Sequence, residues 1–377
     1  MSDKVSESTS IGGEKAYFAA ANTKDGFISY FDTVFFGSDI KRRYIIKGGP
    51  GTGKSSFMRR VALWAQKKGM DAEYYYCSSD TSSLDGVIID GRIAIFDGTA
   101  PHSYDTVLPG ACDEIINLGE FWDADRLSPH ADEIRELGER KKAAYAHAYG
   151  YLAAAGNVGG VLEGIIKPCI KWDKMVAAAH RLCEKSEKGE KSEKGDKADK
   201  RKEDGVYSDR ICQVTAFGTA GIVHFKTLSE LASERHIVEN YYGTAPLFLR
   251  TLYSQAKSMG RAVWVSFDTV DHVTPTEIYF PDSKEHFCIS DASLNYVDDV
   301  SFRHVNMKRF IDADALADIR YSYRVARQIY RSLLDLAAHE LSLAGAAHAQ
   351  IEKFYVSAMD FARQQKFCTE FMEWKII

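Results

Sequence analysis

Short apolar runs and longer stretches of helical periodicity follow one another in the same order in both halves of the chain. In the first half, an apolar run at 43–47 leads into a glycine-rich loop, and residues 55–68 carry apolar side chains at helical spacing. Further apolar runs at 73–77 and 93–96 predict two more strands. The succession of strand, loop, helix and strand indicates an α/β domain with a parallel sheet.

Strand-like runs return in the second half, and the chain ends in a helical pattern that we expect to form a hairpin broken near Gly345. The predicted fold class is α/β, a P-loop NTPase-type parallel sheet that is duplicated, with each half followed by a helical segment. The predicted segments are a flexible tail (1–14), a P-loop ATP-binding lobe (15–110), a helical segment (111–183), a charged flexible linker (184–205), a degenerate P-loop-like lobe (206–300) and a C-terminal helical hairpin (301–377).

The linker prediction rests on composition. Residues 184–205 alternate acidic and basic side chains, repeat Ser-Glu-Lys-Gly, and contain no apolar residue larger than alanine. Such a segment cannot bury enough apolar surface to offset the entropy of ordering it. A solvated tether is therefore the expected role.

The overall composition bears on three properties: nucleic-acid binding, the redox state of the cysteines and membrane association. The chain has 377 residues and a net charge of −5, which gives no electrostatic reason to expect nucleic acid as a partner. Its seven cysteines form no Cys-x-x-Cys pair, as is usual for thiols in a reducing compartment. With neither a signal-peptide pattern nor a long apolar stretch, we expect a cytoplasmic protein with no membrane partner.

The pattern G-x-x-x-x-G-K-[ST] follows the first apolar run directly. Its glycines allow the backbone N–H groups to point at phosphate oxygens, and the helix that follows adds its positive end. Lys54 is spaced to reach the β- and γ-phosphates, and the Ser55 hydroxyl is a candidate Mg²⁺ ligand. The predicted nucleotide-binding residues are Gly48, Gly49, Pro50, Gly51, Thr52, Gly53, Lys54, Ser55 and Ser56. The predicted cofactors are ATP and Mg²⁺.

A P-loop enzyme also needs an acidic residue at the end of a neighbouring strand to hold Mg²⁺. Asp97 ends the run at 93–96 and is the main candidate, with Ser55 as the second metal ligand. Asp80 and Asp85 lie in a serine-rich loop after the run at 73–77, and Asp80 is the candidate for orienting the nucleophile. Each aspartate can instead initiate a turn or cap a helix. His102 is a further candidate, although a lone histidine is more often structural.

The two halves match each other at several positions in the same order. In the helices after the loops, Phe57, Arg59 and Gly69 match Phe248, Arg250 and Gly260 at constant spacing. We also align Gly51-Thr52 with Gly243-Thr244, and Asp97 with Asp291. The second loop continues as Ala245-Pro246-Leu247, without the lysine and the Mg²⁺-binding hydroxyl. The second lobe is therefore predicted to be a degenerate P-loop that binds no triphosphate.

These motifs carry a family resemblance. Together with Asp97-Gly98-Thr99-Ala100-Pro101-His102, the first loop resembles an uncharacterised bacterial family of tandem P-loop ATP-binding proteins or ATPases. That family is built from two related halves and often has a second intact P-loop, from which this chain departs. The resemblance implies ATP binding and brings no known substrate with it.

The predicted function is Mg-ATP binding and hydrolysis at the first lobe, with Lys54, Asp80 and Asp97 as catalytic residues. One alternative is a small-molecule or nucleotide kinase, which needs an arginine-bearing lid; only the stretch with Arg126, Arg135 and Arg140 fits that need. Another alternative is a non-catalytic nucleotide switch that engages a protein partner. The acceptor or partner remains open at this point.

Overall fold

Two compact units make up the computed structural model, which describes residues 14–188, 208–290 and 302–376. Of the described residues, 14–151, 216–223 and 335–376 form the first unit. Residues 152–188, 208–215, 224–290 and 302–334 form the second unit. Each unit therefore combines segments that lie far apart in the sequence. All of the predicted tail except Glu14, and the predicted linker from residue 189 onward, lie outside the described residues.

A six-stranded sheet forms the centre of the first unit, in the order β1-β5-β6-β7-β4-β8, and β2 and β3 form a separate hairpin. β4 pairs in parallel with β7 and β8, whereas β6 runs antiparallel to β5 and β7. The strands are β1 (Lys15–Phe18), β2 (Ala20–Thr23), β3 (Gly26–Ser29), β4 (Arg42–Lys47), β5 (Ala72–Tyr76), β6 (Leu84–Ile89), β7 (Ile93–Asp97) and β8 (Asp113–Asn117).

The sheet of the second unit has the corresponding order, β9-β13-β14-β15-β12-β16. β12 pairs in parallel with β15 and β16, and β14 runs antiparallel to β13 and β15. Strand order and strand directions therefore agree between the two sheets. The strands of this sheet are β9 (Arg210–Ile211), β12 (Glu234–Glu239), β13 (Trp264–Phe267), β14 (Pro275–Phe280), β15 (Glu285–Ser290) and β16 (Phe302–Val305). The remaining strands, β10 (Thr215–Gly218) and β11 (Gly221–His224), form a separate hairpin, and most of that hairpin belongs to the first unit.

The helices are α1 (Phe31–Phe35), α2 (Lys54–Lys67), α3 (Ala124–Leu127), α4 (Ala131–Ile166), α5 (Trp172–Lys188), α6 (Thr227–Leu231), α7 (Thr244–Ser258), α8 (Ala313–Ala358) and α9 (Phe361–Lys375). Within residues 14–188, 208–290 and 302–376, none of these helices combines the length and apolar character needed to cross a lipid bilayer. Helix α5 continues to Lys188, so the first residues of the predicted linker are helical.

The α/β class is confirmed, but the prediction of a parallel sheet is wrong because both sheets are mixed. The antiparallel strands are β6 and β14, neither of which was predicted, and β6 begins within the predicted serine-rich loop. The predicted helical segment 111–183 also begins with a strand, β8. At the C-terminus α8 passes through Gly345 without a break, and the chain turns at Met359 and Asp360 instead. Asp360 sets that turn, because its side chain accepts the Arg363 N–H at the start of α9.

Helices α5 and α9 each pack in the unit whose sheet is formed by the other half of the sequence. In the first unit, α9 from the C-terminus packs on α2, where Phe371 lies 5.2 Å from Phe57 between ring centroids. In the second unit, α5 from the first half packs on α7, and the Cys183 thiol donates to the Leu252 carbonyl. Each sheet is therefore covered in part by a helix from the other half of the sequence.

Phe371 tests this arrangement. Its ring is 5% exposed and also meets Tyr44 of β4 edge-on at 4.8 Å. We expect Phe371→Ala to lower the free energy of unfolding by about 3 kcal/mol, because a buried aromatic is lost and a cavity remains. Urea denaturation followed by circular dichroism measures the change. Trp374→Ala on the same helix is the control, since Trp374 is 81% exposed. Equal effects of the two substitutions would contradict the packing of α9 on α2.

Candidate functional site

The glycine-rich loop joins the carboxyl end of β4 to the first turn of α2. Gly51 and Gly53 have φ values of 68° and 77°, in the left-handed region where a side chain costs energy. Gly53 is the N-cap of α2, and its carbonyl accepts the Phe57 N–H at 2.8 Å. The Thr52 hydroxyl donates to the Gly49 carbonyl at 2.8 Å and closes the loop on itself. The sequence motif thus forms a compact turn that ends in a helix N-terminus.

The loop lies at a point where the chain changes direction across the sheet. β4 has β7 on one side and β8 on the other, both parallel to it. The chain leaves β4 for β5, beyond β7 and β6 in the sheet, whereas it leaves β7 for β8, beyond β4. The connections that follow these two adjacent strands therefore run in opposite directions along the sheet. In open α/β sheets, such a switch point creates the crevice in which ligands bind.

Three predicted site residues lie at the carboxyl end of β7 and the first turn of α2. Lys54 Nζ donates to the carbonyls of Gly48 and Gly49, each at 2.9 Å, and lies 3.5 Å from Asp97 Oδ2. Both charged side chains are largely buried, at 14% and 16% exposed. The Ser55 hydroxyl accepts the Leu84 N–H of β6 at 3.0 Å. The structure therefore brings Lys54 and Asp97 together beside the loop, with Ser55 at the start of the same helix.

The Asp97 carboxylate is held by several groups. Its Oδ1 atom accepts the Thr99 N–H at 2.8 Å and the Thr99 hydroxyl at 2.5 Å. Burial raises the pKa of Asp97, and Lys54 and Thr99 oppose that rise without cancelling it. Repulsion from Asp85 adds a smaller rise to the same pKa. A desolvated carboxylate beside a lysine and a hydroxyl is a suitable environment for a divalent cation.

Asp80 lies in the serine-rich loop as predicted, whereas Asp85 does not. Asp80 is exposed, and its Oδ1 atom accepts the N–H and hydroxyl of Ser82, as expected of a turn-forming residue. Asp85 belongs to β6 and not to the loop, and it is 6% exposed. Its Oδ2 atom has no hydrogen-bond partner among the described residues and lies 3.6 Å from His102 Nε2. The His102 ring stacks on Phe31 at 4.1 Å, which gives it a packing role.

Residues of α4 and α8 complete the surroundings of the loop, and the sequence interpretation missed them. Lys141 of α4 donates to His348 Nδ1 of α8 at 3.4 Å. Burial lowers the pKa of Lys141, and the positive charge of Lys54 lowers it further. Lys141 is followed at four-residue spacing by Tyr145 and Tyr149, whose hydroxyl donates to Asn22 Oδ1 at 3.0 Å. Residues four positions apart lie on the same face of a helix. The recurrence of Lys141, Tyr145 and Tyr149 is therefore the sequence signal that could have identified this face of α4.

The C-terminal helices also contact the glycine loop directly. A Cβ atom at Gly49 would lie 2.9 Å from the Tyr355 ring, and one at Gly51 would lie 2.9 Å from Val356. A Cβ atom at Gly53 would lie 2.9 Å from Gln364, whose side chain donates to the Thr52 carbonyl at 3.4 Å. Close packing therefore restricts all three positions, and at Gly51 and Gly53 the backbone conformation favours glycine as well.

The corresponding loop of the second unit is closed. It spans 240–243 between β12 and α7, two residues fewer than 48–53. Gly243 is again a left-handed N-cap, with φ 72°, but its Cβ position lies 2.7 Å from the Tyr323 hydroxyl. The Tyr242 ring packs against Tyr323 at 5.1 Å. Aromatic rings therefore fill the space next to this loop.

Strand pairing also corrects the predicted match for Asp97. Asp97 pairs with Ile46, the fifth residue of β4, and the fifth residue of β12, Val238, pairs with Ile289. The counterpart of Asp97 is thus Ile289 and not Asp291, which lies outside the described residues. The second unit has no carboxylate at this register position.

The arginines proposed as a kinase lid face solvent. Arg135 and Arg140 pair with Asp132 and Glu136 on the surface of α4, and their side chains are 70% and 67% exposed. Arg126 pairs with Asp123, and its side chain is 68% exposed. Arg126 also donates to the Ser357 carbonyl of α8 at 3.1 Å, next to Val356, which packs on the glycine loop.

Comparisons with known proteins add no family to this description. A scan of the chain against protein-family models found no match. Searches against curated proteins and against solved structures also found none. The functional argument therefore rests on the geometry of the first unit.

Proposed function

We propose that the protein is a P-loop NTPase that binds Mg-ATP at residues 48–56 and hydrolyses it. One observation carries the proposal: a complete G-x-x-x-x-G-K-S loop at a sheet switch point, with Lys54 and Asp97 3.5 Å apart beside it. The donor set fits the ligand, because backbone N–H groups and Lys54 suit phosphates, and Ser55 and Asp97 suit Mg²⁺. Bound Mg²⁺ would supply charge stabilisation at the transferred phosphate.

The protein residues have distinct roles in this proposal. Lys54 exchanges its bonds to the Gly48 and Gly49 carbonyls for bonds to phosphate oxygens. The Asp97 carboxylate, which lies 3.5 Å from Lys54 and accepts the Thr99 N–H, would hold the metal. Lys141 adds a second positive charge near Lys54, where negative charge develops during phosphoryl transfer. Asp80 keeps its proposed role in orienting the nucleophile, for which its turn with Ser82 must open.

A second candidate, a nucleotide-dependent switch, is favoured by one observation. The loop glycines pack directly against Tyr355 and Val356 of α8 and Gln364 of α9. A change in loop conformation on nucleotide binding would therefore displace these side chains and the helices that carry them. The kinase alternative rests on the lid arginines, of which Arg135 and Arg140 pair with Asp132 and Glu136 on the surface of α4. Hydrolysis without an added acceptor therefore remains the main proposal.

We expect one nucleotide per chain, bound at the first unit. Isothermal titration of the full chain with ATP or GTP in excess Mg²⁺ measures the stoichiometry, and phosphate release measures turnover. The second unit lacks the lysine and the carboxylate, and Tyr323 closes its loop. Binding of two equivalents would contradict the degenerate second site. Stoichiometric binding without phosphate release would favour the switch, and no binding at all would reject the site.

A further inference from the structure

A second cluster of charged groups lies in the second unit, at the amino-terminal ends of β12 and β15. It consists of Glu234 and His236 on one face of β12 and Glu285 on the neighbouring strand. One ligand atom from each of the three residues can be chosen so that all lie within 4.8 Å of one another. None of the proposed steps of ATP binding uses these residues.

Within this cluster, the burial of His236 and its missing hydrogen bond within the described chain point to a ligand. His236 is 4% exposed, and its Nε2 atom is buried without a hydrogen-bond partner among the described residues. That nitrogen lies 3.5 Å from Glu285 Oε1 and 3.9 Å from Glu234 Oε2. Stacking on Phe287, at 4.3 Å and an interplanar angle of 6°, fixes the ring. A buried imidazole nitrogen thus points between two carboxylates without bonding to either.

Another histidine–glutamate cluster in the same unit gives the nitrogen–oxygen distances of direct hydrogen bonds. There, His286 Nε2 lies 2.7 Å from Glu277 Oε2, and His224 Nε2 lies 2.5 Å from Glu277 Oε1. At His236 the separations are about 1 Å longer, although no described residue is bonded to the imidazole Nε2 atom. Ligand atoms bound to one tetrahedral zinc ion lie about 3.3 to 3.6 Å apart, given bonds of about 2.0 to 2.2 Å. The 3.5 Å separation lies within that range, and the 3.9 Å separation slightly exceeds it.

We propose that Glu234, His236 and Glu285 bind one divalent transition-metal ion, of which zinc is the representative. An imidazole with two carboxylates favours zinc-like ions, whereas Mg²⁺ and Ca²⁺ prefer oxygen ligands alone. Outer contacts orient the carboxylates, since the Ser283 hydroxyl donates to Glu285 Oε2 at 3.0 Å and Arg303 lies 3.0 Å from Glu234 Oε2. The ion would tie the amino-terminal ends of β12 and β15 together, with water as the remaining ligand.

The test uses the full chain, freed of metal with a chelator and kept without nucleotide, because ATP also binds metals. Co²⁺ is the probe, since its visible absorption reports coordination. We expect one equivalent to give the spectrum of a four- or five-coordinate site, Zn²⁺ to displace it, and Zn²⁺ to raise the melting temperature. His236→Gln and Glu285→Gln should each weaken Co²⁺ binding by about tenfold or more.

His304→Gln is the matched control, because His304 lies on the adjacent β16, is exposed, and is 3.5 Å from Glu239. It should bind Co²⁺ as the unsubstituted chain does. Circular dichroism verifies that each variant is folded, and Glu285→Gln provides the test if His236→Gln is not. Absence of Co²⁺ binding, unchanged affinity in the folded variants, or a thiolate-to-cobalt charge-transfer band would each overturn the proposal.

Discussion

Replacing Lys54 by alanine is expected to weaken Mg-ATP binding by about 100-fold or more and to abolish measurable turnover. The lysine contributes charged hydrogen bonds to phosphate, each worth about 1.5 to 3 kcal/mol. Because the Lys54 side chain is only 14% exposed and faces Asp97, its removal also leaves a carboxylate without its ion-pair partner. We expect the accompanying loss of folding stability to be about 3 kcal/mol, as when one partner of a buried ion pair is removed. Isothermal titration with ATP measures the affinity, and thermal unfolding measures the stability.

Lys67→Ala is the control for this substitution. Lys67 lies in the last turn of the same helix, is exposed, and is far along α2 from the loop. Its replacement should leave the affinity for ATP unchanged. A folded Lys54→Ala variant that binds and hydrolyses ATP as the unsubstituted chain does would falsify the proposed site.

The second large effect is expected at Glu277, whose carboxylate is fully buried between two histidines. Burial raises the pKa of Glu277, but His224 and His286 lower it more strongly, to about 2. Since the folded pKa lies below the ordinary value of 4.5, this carboxylate stabilises the fold above pH 4.5. That contribution is lost as the pH falls from 4.5 towards 2.

Glu277→Gln should therefore lower the free energy of unfolding by about 3 kcal/mol at neutral pH, as expected when one partner of a buried ionic cluster is removed. It should also flatten the pH dependence of stability between pH 4.5 and 2. Urea titrations across this range measure both effects. Glu230→Gln, at an exposed position of α6, is the control. A stability profile of Glu277→Gln that matches this control would show that the cluster carries no ionic stabilisation.

The predictions that the structure confirms rest on signals confined to a few neighbouring residues. An apolar run, a glycine loop and a periodic helix lie within 43–68, so local geometry determines β4, the loop and α2. Lys54 and Asp97 were expected to meet because parallel neighbouring strands end at the same edge of a sheet. The prediction at Gly345 was wrong because one glycine costs a long helix only about 1 kcal/mol, which packing readily offsets.

The features that were not predicted depend on residues distant in sequence. Gln364 contacts Thr52 across 312 positions, and no local pattern signals such a contact. The direction of β6 is set by its pairing with β5 and β7, whereas its sequence, Leu84-Asp85-Gly86-Val87-Ile88-Ile89, allows either direction. The clusters at His236 and Glu277 likewise form across strands whose pairing the sequence does not reveal.

The placement of α9 determines the order in which a growing chain can complete its two cores. Synthesis proceeds from the N-terminus, and domains generally fold as units once their segments have emerged. The second unit has all its segments by Leu334, and α5 is already present when α7 appears. The first unit, although its sheet is made earlier, must wait for Phe361–Lys375 to cover α2. The unit whose sheet is synthesised first is therefore the last to complete its fold. Until α9 is synthesised, the apolar face of α2 that it covers stays exposed, and a nascent chain would need protection from aggregation there.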